Sequence, residues 1–342
     1  MIKTLTCTEP GRFNYGEAEM PVAAEGEAIL AVKSIGICGT DLHAFEGTQP
    51  FFSYPRILGH ELGAAVYSAP AGSGFSPGDH VTIMPYFHCG SCIACRKGLT
   101  NCCSSIKVFG VHIDGGMRQF ISVPAEALLP GGDMTFEELA LVEPLAIGAH
   151  GVRRAGVLPG EYVLVIGAGP IGLGIMAFAA IAGGKVIAMD VNDMRLRFCK
   201  DHLHVEHTIN PLKEDATSAL EAITNGDMPT VVIDATGNQK AINGAFYYMA
   251  HGARYVLVGL QKGDLVVSHP EFHKREATLM SSRNATREDF DHVMHCLREK
   301  WINPATFITH HVAFEQVADV FDQWLDPNAG VIKAMVSMQE EN

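Results

Sequence analysis

The rhythm of apolar and polar positions changes near residue 145. Upstream, short β-branched runs such as EAILAVKSIGI (27–37) and DHVTIMPY (79–86) stop at the turn signals Ala-Glu-Gly, Ser-Pro-Gly-Asp and Asp-Gly-Gly. Short strands at this spacing predict an irregular all-β barrel. Downstream, strand and helix alternate. EYVLVIG (161–167) reads as a buried strand, and PIGLGIMAFAAIAG (170–183) as a helix opened by a proline in its first turn. KVIAMD (185–190) and NDMRLRFCKDHL (192–203) repeat the pair, and TVVIDATG (230–237) and RYVLVGL (254–260) add two buried strands. That order predicts a doubly wound parallel sheet. After about residue 281 come a helical segment, REDFDHVMHCLREK (287–300), and a closing apolar run, GVIKAMVSM (330–338).

Composition narrows the class. A chain of 342 residues is longer than one hydrophobic core usually supports, so two domains are expected. At 47% hydrophobic and 18% charged it is neither disordered nor fibrous. The net charge of −13 without a basic stripe argues against nucleic acid as a partner. The first residues lack the apolar run of a signal peptide. The longest apolar stretch, Ile171 to Ala182, is broken by glycines and falls short of the ~20 residues that span a bilayer. A cytoplasmic protein acting on a small molecule, away from membranes, is therefore expected. Nine cysteines in such a chain point to metal ligands or free thiols, with Cys7, Cys199 and Cys296 read as small buried hydrophobes.

Gly167-Ala168-Gly169-Pro170-Ile171-Gly172 has the spacing of a dinucleotide fingerprint. The first glycine permits the tight turn, the second lets backbone approach a pyrophosphate, and the third lets helix pack on strand. The spacing alone fits a structural turn equally well, but a buried strand precedes it and a helix follows. Asp190 closes the next strand 18 residues after Gly172, where a carboxylate accepts both ribose hydroxyls and repels a 2′-phosphate. Val191 offers no compensating charge, so NAD is expected rather than NADP. Arg195 follows on the next helix. The strand ends at Asp234, Ala235, Thr236 and Gly237 and at Val258, Gly259 and Leu260 are expected to line the cofactor crevice.

Cys89, Cys92, Cys95 and Cys103 have the short spacing of a closed tetrahedral thiolate site for zinc, and a closed site leaves no room for substrate. Cys102 adjoins Cys103 and competes with it as the fourth ligand; Cys103 is preferred. More scattered are Cys38, His60, Glu61 and Glu143, all competent zinc ligands whose spacing does not single them out. A lone His60 fits a satisfied structural histidine, and Glu143 beside Pro144 fits a helix start.

Taken together, GICGTDLH (36–43), YPRILGHE (54–61), CGSCIACRKGLTNCC (89–103), VEPLAIGAH (142–150) and VLVIGAGPIGLG (163–174) resemble the zinc-containing medium-chain alcohol dehydrogenases of the sorbitol and threonine dehydrogenase type. The resemblance runs from Lys3 to the C-terminus. A narrower similarity, to sugar-acid dehydrogenases acting on galactonate, rests on TQPFFSYPRILGHE (48–61), KVFGVHIDGG (107–116), VIDATGNQKAIN (232–243) and PEFHKREATLMSSRNAT (270–286), with the paired Cys102 and Cys103. It implies an α/β fold. A GroES-like β-rich catalytic domain (1–146 and 281–342) would hold both zinc ions, and a Rossmann domain with a doubly wound parallel sheet (147–280) would bind NAD. It implies Cys38, His60 and Glu143 as catalytic zinc ligands and Glu61 as an adjacent, exchangeable one; which glutamate bonds the metal stays open. Thr40 and His43 resemble the family's proton relay, although Thr40 also fits a helix N-cap and His43 a solvated helix face.

The expected activity is oxidation of a CH–OH group with hydride transfer to NAD, by a homo-oligomer of two or four chains. Arg283, with Asn284 and Arg118, is the candidate for binding substrate, because a guanidinium fork suits a carboxylate; the alternative for Arg283 is a solvated surface loop. A sugar acid, a neutral polyol and L-threonine are the competing substrates. A regulatory NAD-binding relative without turnover would have no reason to keep an open metal site. A zinc-free quinone reductase would have no use for the four-cysteine cluster.

Overall fold

The alternating run at 27–36 forms a ten-residue strand, Glu27–Gly36, whose buried positions include Ala28, Leu30, Val32 and Ser34, as period-two alternation requires. The computed structural model describes residues 1–49, 52–326 and 329–338, so Pro50 and Phe51 of the TQPFFSYPRILGHE motif lie outside the described residues. Two units emerge: Met1–Pro144 with Thr286–Asn342, and Leu145–Ala285.

In the first unit, Glu27–Gly36 is the hub of a seven-stranded sheet. On one side it pairs antiparallel with Glu61–Ser68, followed outward by His80–Ile83 and Leu128–Pro130. On the other, its first half takes Phe120–Pro124 and its last residues take Lys333–Ser337, beyond which Ile308–Ala313 pairs in parallel. The barrel that the strand rhythm suggests is thus a sheet with an open hydrogen-bonded order among the described residues, ending at Leu128–Pro130 and Ile308–Ala313. Ile2–Glu9, flanked by Arg12–Ala18 and Arg56–Ile57, forms a separate three-stranded sheet. The closing run 330–338 therefore contributes a strand next to the hub, and its alternating apolar residues Ala334 and Val336 join Leu30, Ile35, Leu62 and Phe321 in one core.

A short helix, Phe136–Ala140, covers this sheet. Thr135 and Glu138 cap it reciprocally: Thr135 N donates to Glu138 Oε2 at 2.7 Å, and Glu138 N donates to Thr135 Oγ1 at 3.2 Å. Its first turn approaches the sheet at Gly63, where a Cβ atom would fall on the Phe136 carbonyl group.

The second unit carries a six-stranded sheet with every neighbouring pair parallel. The order is His207–Ile209, Lys185–Met189, Tyr162–Ile166, Val231–Asp234, Arg254–Leu257 and Thr278–Ser281. Chain direction across the sheet reverses between Tyr162–Ile166 and Val231–Asp234, the place where such sheets open a ligand crevice. The helices Pro170–Ile181 and Asp193–Leu203 appear where the pattern predicts them, the second capped by Asn192 Oδ1. Cys7, Cys199 and Cys296 are all buried, as expected of small apolar side chains. No helix among the described residues is long and apolar enough to cross a membrane.

Gly63→Ala is expected to destabilise the first unit by about 1–3 kcal/mol, because neither the strand nor the helix backbone can yield without loss of pairing. The readout is a thermal melt, in which several degrees of lost Tm are expected. An unchanged melting profile would mean that the helix can move away at no cost.

Candidate active site and metal centres

Register brings the scattered motif residues together. Gly36 pairs with Glu61 across the hub, so Cys38, two residues past one strand end, and His60, one residue before the other, emerge side by side. Cys38 Sγ, a His60 ring nitrogen and a Glu61 carboxylate oxygen all lie within 4.8 Å of one another. Gly36 permits this, since a side chain there would collide with the Glu61 carboxylate. Glu143, in the first turn of the helix Val142–Ala155, is buried close enough to feel the charges of His60, Glu61 and Lys333.

Three further side chains surround this cluster, and none was singled out from the sequence. The first is Asp41. Its Oδ2 accepts from Cys38 N at 2.9 Å, its Oδ1 accepts from Gly59 N at 3.2 Å, and Oδ1 stands 3.8 Å from His60 Nδ1. Cys38, not Thr40, is the N-cap of the helix Gly39–Glu46, so Asp41 completes a capping box. The spacing of Cys38 and Asp41 carried that signal. The second is Lys333, whose Nζ donates to Glu61 Oε1 and Oε2 at 2.6 and 2.5 Å and to the Ile37 carbonyl at 3.0 Å. A lysine inside a closing apolar run needs a buried partner, and that was its signal. The third is Tyr86, whose hydroxyl donates to Glu143 Oε1. Nothing in the local sequence announces it.

The electrostatics follow from burial. Desolvation raises the Glu143 and Asp41 carboxyls, with His60 opposing in both cases. Burial alone would lower the His60 imidazole, but Cys38, Asp41 and Glu143 outweigh it and hold it well above its ordinary value. Burial would likewise lower the Lys333 ammonium, and Glu61, with Cys38 and Glu143, more than reverses this. Burial and the Glu143 carboxylate push the Tyr86 phenol up, so it remains a donor. His60 Nδ1 has no hydrogen-bond partner among the described residues. A soft cysteine sulfur, an imidazole and carboxyl groups brought together in this way form a donor set that suits zinc.

The Cys89, Cys92, Cys95 and Cys103 sulfurs also lie within 4.8 Å of one another, whereas the exposed Cys102 is not among them. Backbone amides turn toward the sulfurs: Cys89 N to Cys103 Sγ at 3.3 Å, Cys92 N to Cys89 Sγ at 3.4 Å and Cys95 N to Cys92 Sγ at 3.5 Å. Donors from Ser91 lower Cys89 to about 5 and the Cys95 amide lowers Cys92 to about 7, whereas burial and the neighbouring Cys92 and Cys103 push Cys95 up to about 12, so a cation would have to draw the Cys95 proton off.

In the second unit, Gly167 adopts φ +99° at the end of Tyr162–Ile166, and Gly169 caps the helix that starts at Pro170. A side chain at Gly172 would strike the Gly167 carbonyl. Gly169 has no side chain to occupy the first-turn amides of this twelve-residue helix, which suits a pyrophosphate. Asp190 accepts from Ala168 N at 2.7 Å and Asn192 N at 2.8 Å, with Arg195 Nη1 3.9 Å from its Oδ2. Asp234 ends its strand and accepts from Thr236 N and Gly237 N, while its carbonyl accepts from Val258 N and Gly259 N. The turn at Ala235–Gly237 and the backbone at Gly259–Leu260 therefore press together.

Thr40 and His43 share one face of the helix Gly39–Glu46; Thr40 is half-buried and His43 exposed. Arg118 is half-buried and donates from Nε to the Gly115 carbonyl at 3.0 Å. Arg283 is exposed just past the last strand of the second unit, and Asn284 beside it has φ +53°.

Comparison with known proteins agrees with this chemistry. The family model described as "Alcohol dehydrogenase GroES-like domain" matches residues 24–133, and that described as "Zinc-binding dehydrogenase" matches residues 170–299. L-Galactonate-5-dehydrogenase of Escherichia coli K12 is 42% identical over 337 residues, covering 98% of this chain and 99% of that protein. 2-Dehydro-3-deoxy-L-galactonate 5-dehydrogenase of Pseudoalteromonas atlantica is 30% identical, covering 96% of each chain. The crystal structure of RspB from Escherichia coli CFT073, complexed with NADH, is 29% identical with a TM-score of 0.91, covering 98% of this chain and 99% of that one. The chain therefore belongs to the zinc-type alcohol dehydrogenase family, as an oxidoreductase of the CH–OH group with zinc and NAD as its cofactors.

Proposed function

We propose that this enzyme oxidises a secondary hydroxyl of a sugar acid, an L-galactonate-like aldonate, to a ketone. The observation that carries the chemistry is the convergence of Cys38, His60 and Glu61 at neighbouring strand ends, with the buried Glu143 of the helix Val142–Ala155 close enough to act on His60 and Glu61 electrostatically. The similarity to L-galactonate-5-dehydrogenase supports a sugar acid over a neutral polyol or L-threonine. Cys38, His60 and Glu143, with Glu61 adjacent, would hold a catalytic zinc ion, and Cys89, Cys92, Cys95 and Cys103 a structural one. When bound, the catalytic metal supplies Lewis-acid polarisation of the substrate hydroxyl and the nicotinamide accepts the hydride.

The chain's own groups do the rest. The Asp41 carboxylate, 3.8 Å from His60 Nδ1, acts on the ring as a charge, and Lys333 and Tyr86 hold Glu61 and Glu143. Thr40 would take the substrate hydroxyl proton as it gives its own to the His43 imidazole, which releases a proton to solvent from the exposed face of the helix. The fingerprint backbone and the first turn of Pro170–Ile181 hold the pyrophosphate, and Asp190 the adenosine ribose, with Arg195 beside it. A cytoplasmic homo-oligomer of two or four chains completes this reading, which sedimentation of the purified protein tests.

Metal analysis should give two zinc ions per chain, one for each donor cluster. A chelator should remove activity with the first ion before the protein unfolds, because four thiolates hold the second in a closed site. Simultaneous loss of both ions and of the fold at the lowest effective dose would contradict the division of roles. Cys38→Ser should abolish turnover yet keep NADH binding.

Cofactor choice tests the second unit. The Asp190 carboxylate favours ribose hydroxyls and disfavours a phosphate dianion, while Val191 beside it is exposed. Steady-state kinetics should therefore show a strong preference for NAD, relaxed in the double variant Asp190→Ser, Val191→Arg. Equal efficiency of the parent enzyme with NADP would refute the role given to Asp190.

Substrate choice tests Arg283. If its guanidinium binds the substrate carboxylate, removal forfeits a charge-assisted pair of about 2–5 kcal/mol. Arg283→Ala should then lower kcat/KM on an aldonate by roughly 30-fold or more and affect a neutral polyol of equal length far less. Equal losses on both would assign Arg283 to the cofactor or to hydroxyl recognition and remove this support for a sugar acid.

A further inference from the structure

The two carboxylates beside Cys38 and His60 are restrained in different ways. Glu61 faces the Lys333 ammonium with both oxygens, so its charge is matched. Glu143 has a neutral donor instead, the Tyr86 hydroxyl on Oε1. Both groups are almost completely buried, Tyr86 at 3% and Glu143 at 4% exposure.

Tyr86 is itself fixed from two directions. Its backbone lies in the short strand Tyr86–Phe87, paired with Lys107–Val108, and its ring meets Phe290 edge-on, with centroids 6.1 Å apart and planes at 73°. Cys89, the first of the four clustered cysteines, follows three residues later. Packing at this place asks only for a ring, which phenylalanine would supply without burying a hydroxyl. The hydroxyl therefore has to be explained by what it touches, and it touches a carboxylate of the catalytic cluster. Because it engages one oxygen, rotation of the carboxyl group is restricted and the other oxygen is left for a cation.

We propose that Tyr86 is a positioning residue for the catalytic metal, acting through its hydrogen bond to Glu143. This rests on the reading of Glu143 as part of the catalytic zinc set. Partners that orient a metal ligand from outside the coordination shell typically contribute 10–100-fold in metal affinity or activity.

The test compares Tyr86→Phe, Glu143→Gln and the double variant with the parent holoenzyme. The measurements are zinc affinity of the catalytic site by chelator competition, the visible spectrum after cobalt replaces zinc there, thermal unfolding, and kcat and KM. Tyr86→Phe should melt close to the parent, bind catalytic-site zinc 10–100-fold more weakly, alter the cobalt spectrum and lower kcat more than it changes KM. In the Glu143→Gln background it should add nothing, because its target is gone. If Glu143→Gln weakens metal binding while Tyr86→Phe leaves affinity and spectrum at parental values, the role of Tyr86 is overturned and the ligand reading stands. Independent, additive effects in the double variant would also overturn it. If Glu143→Gln itself leaves the metal untouched, the ligand reading falls and takes this inference with it.

Discussion

The buried ion pair between Lys333 and Glu61 is the constraint around which the first unit is arranged. It joins residues 272 positions apart, at 2.5 and 2.6 Å, with side-chain exposures of 4% and 0%. Such a pair is not retained for stability alone, since the cost of taking both charges out of water rivals their attraction. Breaking it is another matter: a single unpartnered charge in this interior costs about 3–5 kcal/mol. The arrangement is thus specific rather than strong. Any register of Lys333–Ser337 on the hub strand other than the observed one would strand the ammonium among apolar side chains. The third bond of Lys333, to the Ile37 carbonyl, fixes the backbone one residue before Cys38.

From that fastening the rest of the site follows by strand geometry. The hub strand has Glu61–Ser68 on one side and Lys333–Ser337 on the other, and all three present a strand end at the same place. Cys38 leaves from the middle strand, His60 enters the second, and Lys333 opens the third. Gly36 keeps the space above the hub clear for the Glu61 carboxylate, and the capping box of Asp41 turns the chain directly after Cys38. The same rule of strand ends governs the second unit, where Gly167 and Asp190 follow, and Asp234 ends, three adjacent parallel strands. In both units the reactive residues sit where backbone pairing stops and backbone groups are free to turn toward a ligand.

Legibility in the sequence divided along the same line. Features encoded over a few residues could be read: the alternation of 27–36, the strand–glycine–helix passage at 162–181, the helix 287–298, and the four cysteines between 89 and 103. Cys103 could be preferred to Cys102 by spacing, and it is Cys103 that joins the sulfur cluster. Features created by pairing could not be read. Tyr86 and Glu143 are 57 residues apart, and no periodicity links them. Lys333 was visible only as an oddity in an apolar run, and Asp41 only as the fourth letter of a capping pattern that begins, unusually, with cysteine. The open barrel order of the first sheet escaped for the same reason, because strand order is set by long-range contacts rather than by the rhythm along the chain. Arg118 and Arg283 show the limit from the other side, since an arginine's type says what it can bind but not where its fork points.

The charge inventory of the catalytic cluster explains why its parts belong together. Cys38, Asp41, Glu61 and Glu143 are four acidic groups within or beside it, and Lys333 alone among the described residues is buried there as a fixed cation. The excess is visible in the residues themselves. Beyond the burial that raises Glu143 and Asp41, the Glu61 charge raises both further, and Cys38, Asp41 and Glu143 raise His60 although its own burial acts the other way. A cluster of this kind repels a further anion and attracts a divalent cation, which offsets most of the excess without introducing a group that needs hydrogen bonds of its own. Charge matching also distinguishes the two glutamates. Glu61 has the Lys333 ammonium at hydrogen-bond distance, whereas Glu143 is hydrogen-bonded by the neutral Tyr86 hydroxyl, with His60 and Lys333 acting on it as nearby charges. Of the two carboxylates, Glu143 is therefore the one a nearby cation reaches without breaking a buried ion pair, since drawing Glu61 away would leave Lys333 unpartnered.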